Sequence, residues 1–190
     1  MTKPDNMRYQ PLELNDFPAI ITLATEVHGE GYVDLPTLAI WRQQGLFKGI
    51  NSGWVAYDEE RLVGYRITFA AGQWNIDHWS SPQLWQVPAE RVCYFKCNTV
   101  HRDYRGSGIG AQLLKRSTQA AKLQGALAGV AHLWQQSPNN SAVQYFTHCG
   151  GMPIKTHHSK WNQDCEQGYI CTLCGNDCHC GAEEMILRFV

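Results

Sequence analysis

The stretch Val100-His-Arg-Asp-Tyr-Arg105-Gly-Ser-Gly-Ile-Gly110 decides how this 190-residue chain is read. Before it, residues 91–100 carry Val-Cys-Tyr-Phe-Lys-Cys-Asn-Thr-Val, a composition that predicts a buried strand. After it, Ile109, Leu113, Leu114, Ala120 and Ala121 recur at the spacing of one helical face, and Gly125 is placed to end that helix. A strand entering a glycine-rich turn and then a helix outlines an anion site. Glycines without Cβ let a phosphate approach the backbone, and the first helical turn offers N–H groups with no intrahelical partner. A mononucleotide P-loop is excluded, because no Gly-Lys-Ser/Thr follows the last glycine. A dinucleotide fingerprint is disfavoured, because no acidic residue lies within about 30 positions downstream to meet a ribose.

Charge supports an anion at this turn. Sixteen Lys and Arg against seventeen Asp and Glu give a formal net charge of −1, which argues against a general nucleic-acid binder. The balance is uneven, however. Residues 96–116 hold Lys96, Arg102, Arg105, Lys115 and Arg116 against Asp103 alone, whereas residues 161–190 are acidic in excess. With 44% hydrophobic residues the chain can bury a real core. The uncharged span 123–154 is too interrupted by Gln, Asn, Ser and His to cross a membrane, and the polar start of the chain carries no secretory pattern. A soluble, cytoplasmic protein is expected.

Outward from the turn, residues 8–14 predict a first strand and 17–28 a helix. A second helix is expected over 35–47, opened by Asp34 and Pro36, and a hairpin over 53–57 and 62–70. Residues 71–90, with Trp74, Trp79 and Trp85, form a long aperiodic insertion. Residues 128–134 read as a strand, and Ser137-Pro-Asn-Asn140 caps a helix over 141–148. The last strands are expected at 152–161 and 184–190, separated by a Cys-rich insertion over 162–182. This order predicts one α+β domain over 1–190, layered α/β/α.

The turn resembles the coenzyme A-binding motif of the GNAT superfamily of N-acetyltransferases, in which Arg or Gln precedes two residues, Gly, one residue, then Gly or Ala. Arg105, Gly108 and Gly110 match at that spacing. Downstream, Asn139-Asn140-Ser141-Ala142, Phe146 and Gly150 resemble the superfamily's Asn-x-x-Ala-x-x-x-Tyr-x-x-x-Gly run. The resemblance implies a mixed, mostly antiparallel sheet splayed at the coenzyme-binding strand. It also implies acetyl transfer from acetyl-CoA to a primary amine by direct attack in a ternary complex. The amides of Gly106, Ser107, Gly108, Ile109 and Gly110, with Arg102 and Arg105, would hold the pyrophosphate. The backbone of Asn98, Thr99 and Val100 would pair with the pantetheine arm and polarise the thioester carbonyl, and Asn139 would touch the arm from the far side.

An alkylammonium is only about 0.1% neutral at pH 7, so a base must assist, and an acid should protonate the departing thiolate. The resemblance puts Phe146 where relatives carry an acidic tyrosine, with Tyr145 one residue earlier. Either Tyr145 acts as the acid, or Phe146 packs on the pantetheine and the thiolate leaves without it. No base is assigned: His101 reads as a solvated loop residue, and His78, Asp77 and Glu90 lie in the Trp-rich insertion. Trp74, Trp79 and Trp85, with Tyr94 and Lys96 on one face of the strand beside Asn98, would either wall the acceptor pocket or pack the insertion onto the sheet.

Five of eight cysteines fall between Cys165 and Cys180. Cys171-Thr-Leu-Cys174-Gly resembles a zinc knuckle, and Cys178-His179-Cys180 would complete a four-sulfur structural zinc site, with Cys165 and His179 in reserve. Cys93, Cys97 and Cys149 read as small buried hydrophobes. A non-catalytic acyl-CoA sensor, or an interaction module built on the Cys-rich hairpin, is the alternative to an enzyme; a homodimer is compatible with either.

Overall fold

The boundary chemistry read from the sequence operates where expected. Asp34 accepts a hydrogen bond from the Thr37 amide at 2.9 Å, and Gly125, at φ 105°, ends a sixteen-residue helix. The computed structural model describes residues 7–189. In chain order it contains β1 (Met7–Pro11), α1 (Phe17–His28), α2 (Leu35–Gly45), a small hairpin of β2 (Leu46–Phe47) and β3 (Ile50–Asn51), β4 (Trp54–Asp58), β5 (Arg61–Phe69) and β6 (Val92–Val100). There follow α3 (Ile109–Gln124), β7 (Ala128–Trp134), α4 (Ser141–His148), β8 (Met152–His157), α5 (Asn162–Glu166) and β9 (Ala182–Arg188).

Some expected elements end early, each for a local reason. The first strand stops at Pro11, because Leu14–Asp16 form a 3-10 turn in which the Glu13 amide donates to Asp16. The second helix stops at Gly45, whose backbone lies against Thr68; a Cβ there would sit 2.6 Å from the Thr68 carbonyl oxygen. The strand expected over 152–161 ends at His157. The last strand begins two residues earlier than expected, and Val190 lies outside the described residues.

Seven strands form one sheet in the order β1-β4-β5-β6-β7-β9-β8. Its pairs are antiparallel except β6 with β7. On one face α1 and α2 cover Leu12, Val55, Tyr65 and Ile67. On the other, α3 packs on Ala56 and Val63, and Phe146 of α4 joins Cys93, Phe95, Leu114 and Met185. The layering is therefore α/β/α, as expected. Among the described residues, no helix is long and apolar enough to cross a membrane.

Two irregularities of β6 prepare the site. Pairing with β7 covers only Val92–Tyr94 against Ala128–Val130, so the strands part beyond Tyr94. Pairing with β5 slips between Ile67 and Thr68, skipping Lys96 and making a bulge there.

Candidate functional site

Between Phe95 and Val100 the β7 side of β6 is left without a described strand partner. Backbone N–H and C=O groups along such an edge suit an extended amide-bearing ligand. The turn that follows supplies the phosphate end. Gly106 at φ 79° and Gly108 at φ 85° hold left-handed backbone, and nothing lies within 4 Å of the place either Cβ would occupy. Gly108 caps α3 without a side-chain bond, so no side chain competes for the first helical amides. Arg102 and Arg105 are exposed beside this turn, with Arg105 anchored through Nε to the Val100 carbonyl at 3.2 Å. Ile109 contributes only backbone here, because its side chain is buried with Val63 and Leu113. Asn139, at φ 55°, is exposed at the start of α4, where Ser137 Oγ accepts from the Ala142 amide at 3.0 Å.

The bulge changes which β6 side chains share a face. Simple alternation groups Asn98 with Tyr94 and Lys96. Instead Asn98 lies under α3, its Nδ2 3.0 Å from where a Gly110 Cβ would sit, so a larger residue at 110 would collide with it. Cys97 and Thr99 turn toward α1 and α2 together with Lys96, whose ammonium sits 4.8 Å over the Trp41 ring.

Helix α4 separates the two aromatic candidates. Phe146 is wholly buried, edge-on to Phe95 and pressed against Gly151, so it offers no surface to a cofactor; that expectation is corrected. Tyr145 lies 3.9 Å from the Gly110 Cβ position, and its phenolic oxygen accepts from Arg66 Nη1 at 2.7 Å. Burial pushes the Tyr145 hydroxyl above its ordinary pKa, partly offset by the Arg66 charge. Arg66 is itself buried on β5, stacked 4.5 Å over the Phe95 ring. Neither Arg66 Nε nor Asn98 Oδ1 has a hydrogen-bond partner, and no carboxylate among the described residues pairs with the guanidinium.

On the opposite face, Tyr94 Oη lies 3.0 Å from His132 Nδ1, and His132 Nε2 lies 2.6 Å from the Trp79 carbonyl oxygen. A carbonyl only accepts, so Nε2 carries the proton and Nδ1 accepts from the tyrosine hydroxyl. Burial, reinforced by Lys160, lowers the His132 pKa to about 4, so the ring is neutral at pH 7. His157 Nε2 lies 2.9 Å from Glu184, which also accepts from the Ser81 amide at 2.9 Å and Trp85 Nε1 at 2.8 Å. Burial favours the neutral acid at Glu184, but these donors win and hold its pKa below the ordinary value. His132, His157 and Glu184 present ligand atoms within 4.8 Å of one another, yet Trp79, Tyr94, Ser81 and Trp85 already engage them. Toward the other end of β6, His28 Nε2 lies 2.8 Å from Thr99 Oγ1 and its ring stacks on Tyr32; burial, with Arg105 and Lys96, lowers its pKa to about 4.

Three further expectations meet the structure here. Trp85 is fully enclosed and packs the insertion against Val92 and Ile186, so it cannot wall an acceptor pocket. Trp74 donates to the Val92 carbonyl and stacks on Tyr94, while Trp79 stays half-exposed with Lys160 near its ring. His101 is not solvated: it is buried, with Nε2 2.8 Å from Arg61 Nη2.

The Cys-rich segment brings together the four expected thiols. The sulfurs of Cys171, Cys174, Cys178 and Cys180 all lie within 4.8 Å of one another, with Cys171–Cys180 at 3.9 Å and Cys174–Cys180 at 3.7 Å. A tetrahedral zinc–thiolate site needs sulfur edges of about 3.8 Å, so the donor set fits in number, chemistry and spacing. Cys165 faces the Gly175 carbonyl, and His179 is exposed on Asp177; neither joins the four. Burial pushes the Cys180 thiol up to about 11. At Cys171 burial acts the same way, but amides of Leu173 and Cys174 and the neighbouring thiols bring it down to about 7.

Residues 17–151 match the family model described as the acetyltransferase (GNAT) family. The chain belongs to that family. Its fold is similar to Ard1 from Thermoplasma volcanium (TM-score 0.69, 11% identity, 97% of this chain and 98% of that one). It is also similar to the ribosomal-protein-S18-alanine N-acetyltransferase from Escherichia coli (0.65, 14%, 96% and 93%). A third similar structure is Arabidopsis thaliana Naa50 in complex with a bisubstrate analogue, CoA-Ac-MVNAL (0.65, 16%, 97% and 99%). A sequence search of curated proteins finds no match. In this GNAT chain, Arg66, His28, His132, His157 and Glu184 escaped the sequence reading. The available signal was a charged or ionisable residue inside a run of buried strand positions, at Arg66 and His132.

Proposed function

We propose that this GNAT acetyltransferase moves an acetyl group from acetyl-CoA to a primary amine of a small molecule or peptide. The observation that carries the reading is the parting of β6 from β7 after Tyr94, directly before the glycine turn of α3. The amides of Gly106 to Gly110, with Arg102 and Arg105, hold the pyrophosphate. The free edge of β6 from Phe95 to Val100 pairs with the pantetheine arm, and Asn139 meets the arm from the α4 side.

Acid and base lie on opposite faces of the cleft. Tyr145, its oxygen occupied by Arg66, donates its proton to the departing thiolate. Tyr94 takes the proton of the incoming amine as its own passes to His132 Nδ1. The imidazolium so formed keeps Nε2–H on the Trp79 carbonyl, and that bond and the Glu184 carboxylate offset part of the cost that burial and Lys160 impose on the charged ring. Tyr94, Lys96, Trp74 and Trp79 border the acceptor. We assign Cys171, Cys174, Cys178 and Cys180 to a structural zinc, whose four-sulfur set leaves no open position for catalysis.

Thermal shift with acetyl-CoA, followed by thiol release on a panel of amines, tests the reading. Stabilisation with turnover supports it. Stabilisation without turnover on any amine would make the protein an acyl-CoA sensor, and no stabilisation would refute both. Fewer than about 0.2 zinc per chain after purification without chelator would refute the metal assignment.

A further inference from the structure

The Cys-rich segment is joined to the loop between α1 and α2 by a backbone seam. The Ile170 amide donates to the Glu30 carbonyl at 3.2 Å. Gly29, at φ 104°, comes so near Ile170 that a Cβ would lie 2.3 Å from its carbonyl oxygen. Gly31, at φ 75°, stands likewise against Gly168, where a Cβ would lie 2.5 Å from the carbonyl oxygen. At both positions glycine is required twice, for its backbone angle and for the close approach.

Each side of the seam leads to a site. Tyr169 packs against the cluster of Cys165, Cys171, Cys178 and Cys180, and Cys171 is tied to Gly175 by a reciprocal pair of backbone bonds. Across the seam the Tyr169 ring stands edge-on to Tyr32 at 6.1 Å. Tyr32 stacks on His28 at 4.3 Å, and His28 reaches Thr99 on the face of β6 that carries Cys97 and Lys96. One chain of contacts thus runs from the four thiols to the acceptor face.

We infer that the four-cysteine site is a positioning element for the acceptor side. A metal there fixes residues 168–172, and the seam passes that position to Gly29–Tyr32. Tyr32 and His28 are thereby held over Thr99. The physical reason is entropic: the excursion between β8 and β9 has a small core made largely of its own cysteines, so a four-ligand cross-link supplies the order that packing does not. This inference rests on the assignment of the thiols to zinc.

Hydrogen exchange tests it, on zinc-loaded protein, on protein stripped by chelation, and on Gly31→Ala, all with acetyl-CoA present. Stripping should speed exchange of residues 29–34 by about tenfold or more, with α3 unchanged. Gly31→Ala leaves the ligands alone; it should keep one zinc per chain and loosen the same residues. Unchanged exchange at 29–34 in the stripped protein would overturn the inference, as would a purified chain without zinc. If stripping also loosens α3, the Gly31→Ala comparison decides alone. A zinc-loaded protein that acetyl-CoA does not stabilise would fail the cofactor reading, while the exchange comparison would still judge the seam.

Discussion

The Arg66 guanidinium donates to the Tyr145 phenolic oxygen at 2.7 Å, from a buried position on β5 to a ring on α4 that lies beside Gly110 of α3. A guanidinium has no acceptor atom, so the bond settles the direction: the oxygen receives, and the tyrosine proton is left to point elsewhere. The cation also stabilises the phenolate that remains once the proton has gone, while burial keeps the group protonated at neutral pH. Those two conditions are what the acid proposed for the leaving thiolate requires.

Tyr145→Phe should lower kcat about tenfold or more, roughly 1.4 kcal/mol of barrier, and leave acetyl-CoA affinity unchanged. Arg66→Met should also lower kcat, and the double variant should match Tyr145→Phe within about twofold, because Arg66 acts through the tyrosine. Additive losses would assign Arg66 to a separate task.

The Tyr94–His132 pair predicts a pH-dependent defect. His132→Gln should reduce kcat/KM for the amine by about a hundredfold at pH 7. The loss should shrink as pH rises toward 9–10, where more of an alkylamine is neutral without help. A deficit constant from pH 7 to 10 would remove His132 from the relay.

Glu184 is buried and accepts from Ser81, Trp85 and His157, joining the Trp-rich insertion to β8 and β9. Glu184→Gln sets an amide against His157 and removes the charge its donors complement. It should cost on the order of 2–4 kcal/mol in urea unfolding, with the loosening concentrated at residues 77–91 in hydrogen exchange. A change below about 0.5 kcal/mol would show that the network does not hold the insertion.

Acid should destabilise the protein over a defined window. His28 and His132 have folded pKa values of about 4, below the unfolded value near 6.5, so the unfolded chain binds more protons between these limits. Their stabilising contribution is full above pH 6.5 and is lost as pH falls toward 4; Glu184, also held low, adds to the loss at the acid end. Urea unfolding at pH 5 should show at least about 2 kcal/mol less stability than at pH 7.5, and His132→Gln should flatten that slope. A flat profile from pH 7.5 to 5 would contradict the buried neutral histidines.

The sequence by itself determined what depends on neighbours along the chain. Helix α3, its glycine entry and Gly125 exit, and the bounds of α4 follow from 3.6-residue periodicity and capping, which act over a few residues. The four zinc-candidate cysteines were legible for the same reason, since they fall within ten positions. The polar network beside Tyr94 was not. Tyr94, His132, Glu184 and His157 meet because β6, β7, β9 and β8 are consecutive in the sheet, an order that depends on long-range packing and leaves no local trace. Whether Phe146 or Tyr145 is enclosed depended on which side of α4 the core filled. The faces of Asn98 and Thr99 depended on one skipped residue at Lys96, since a slip of one position in a strand turns every following side chain over. Only the tertiary structure could decide these, because each is a property of strands brought together from distant parts of the chain.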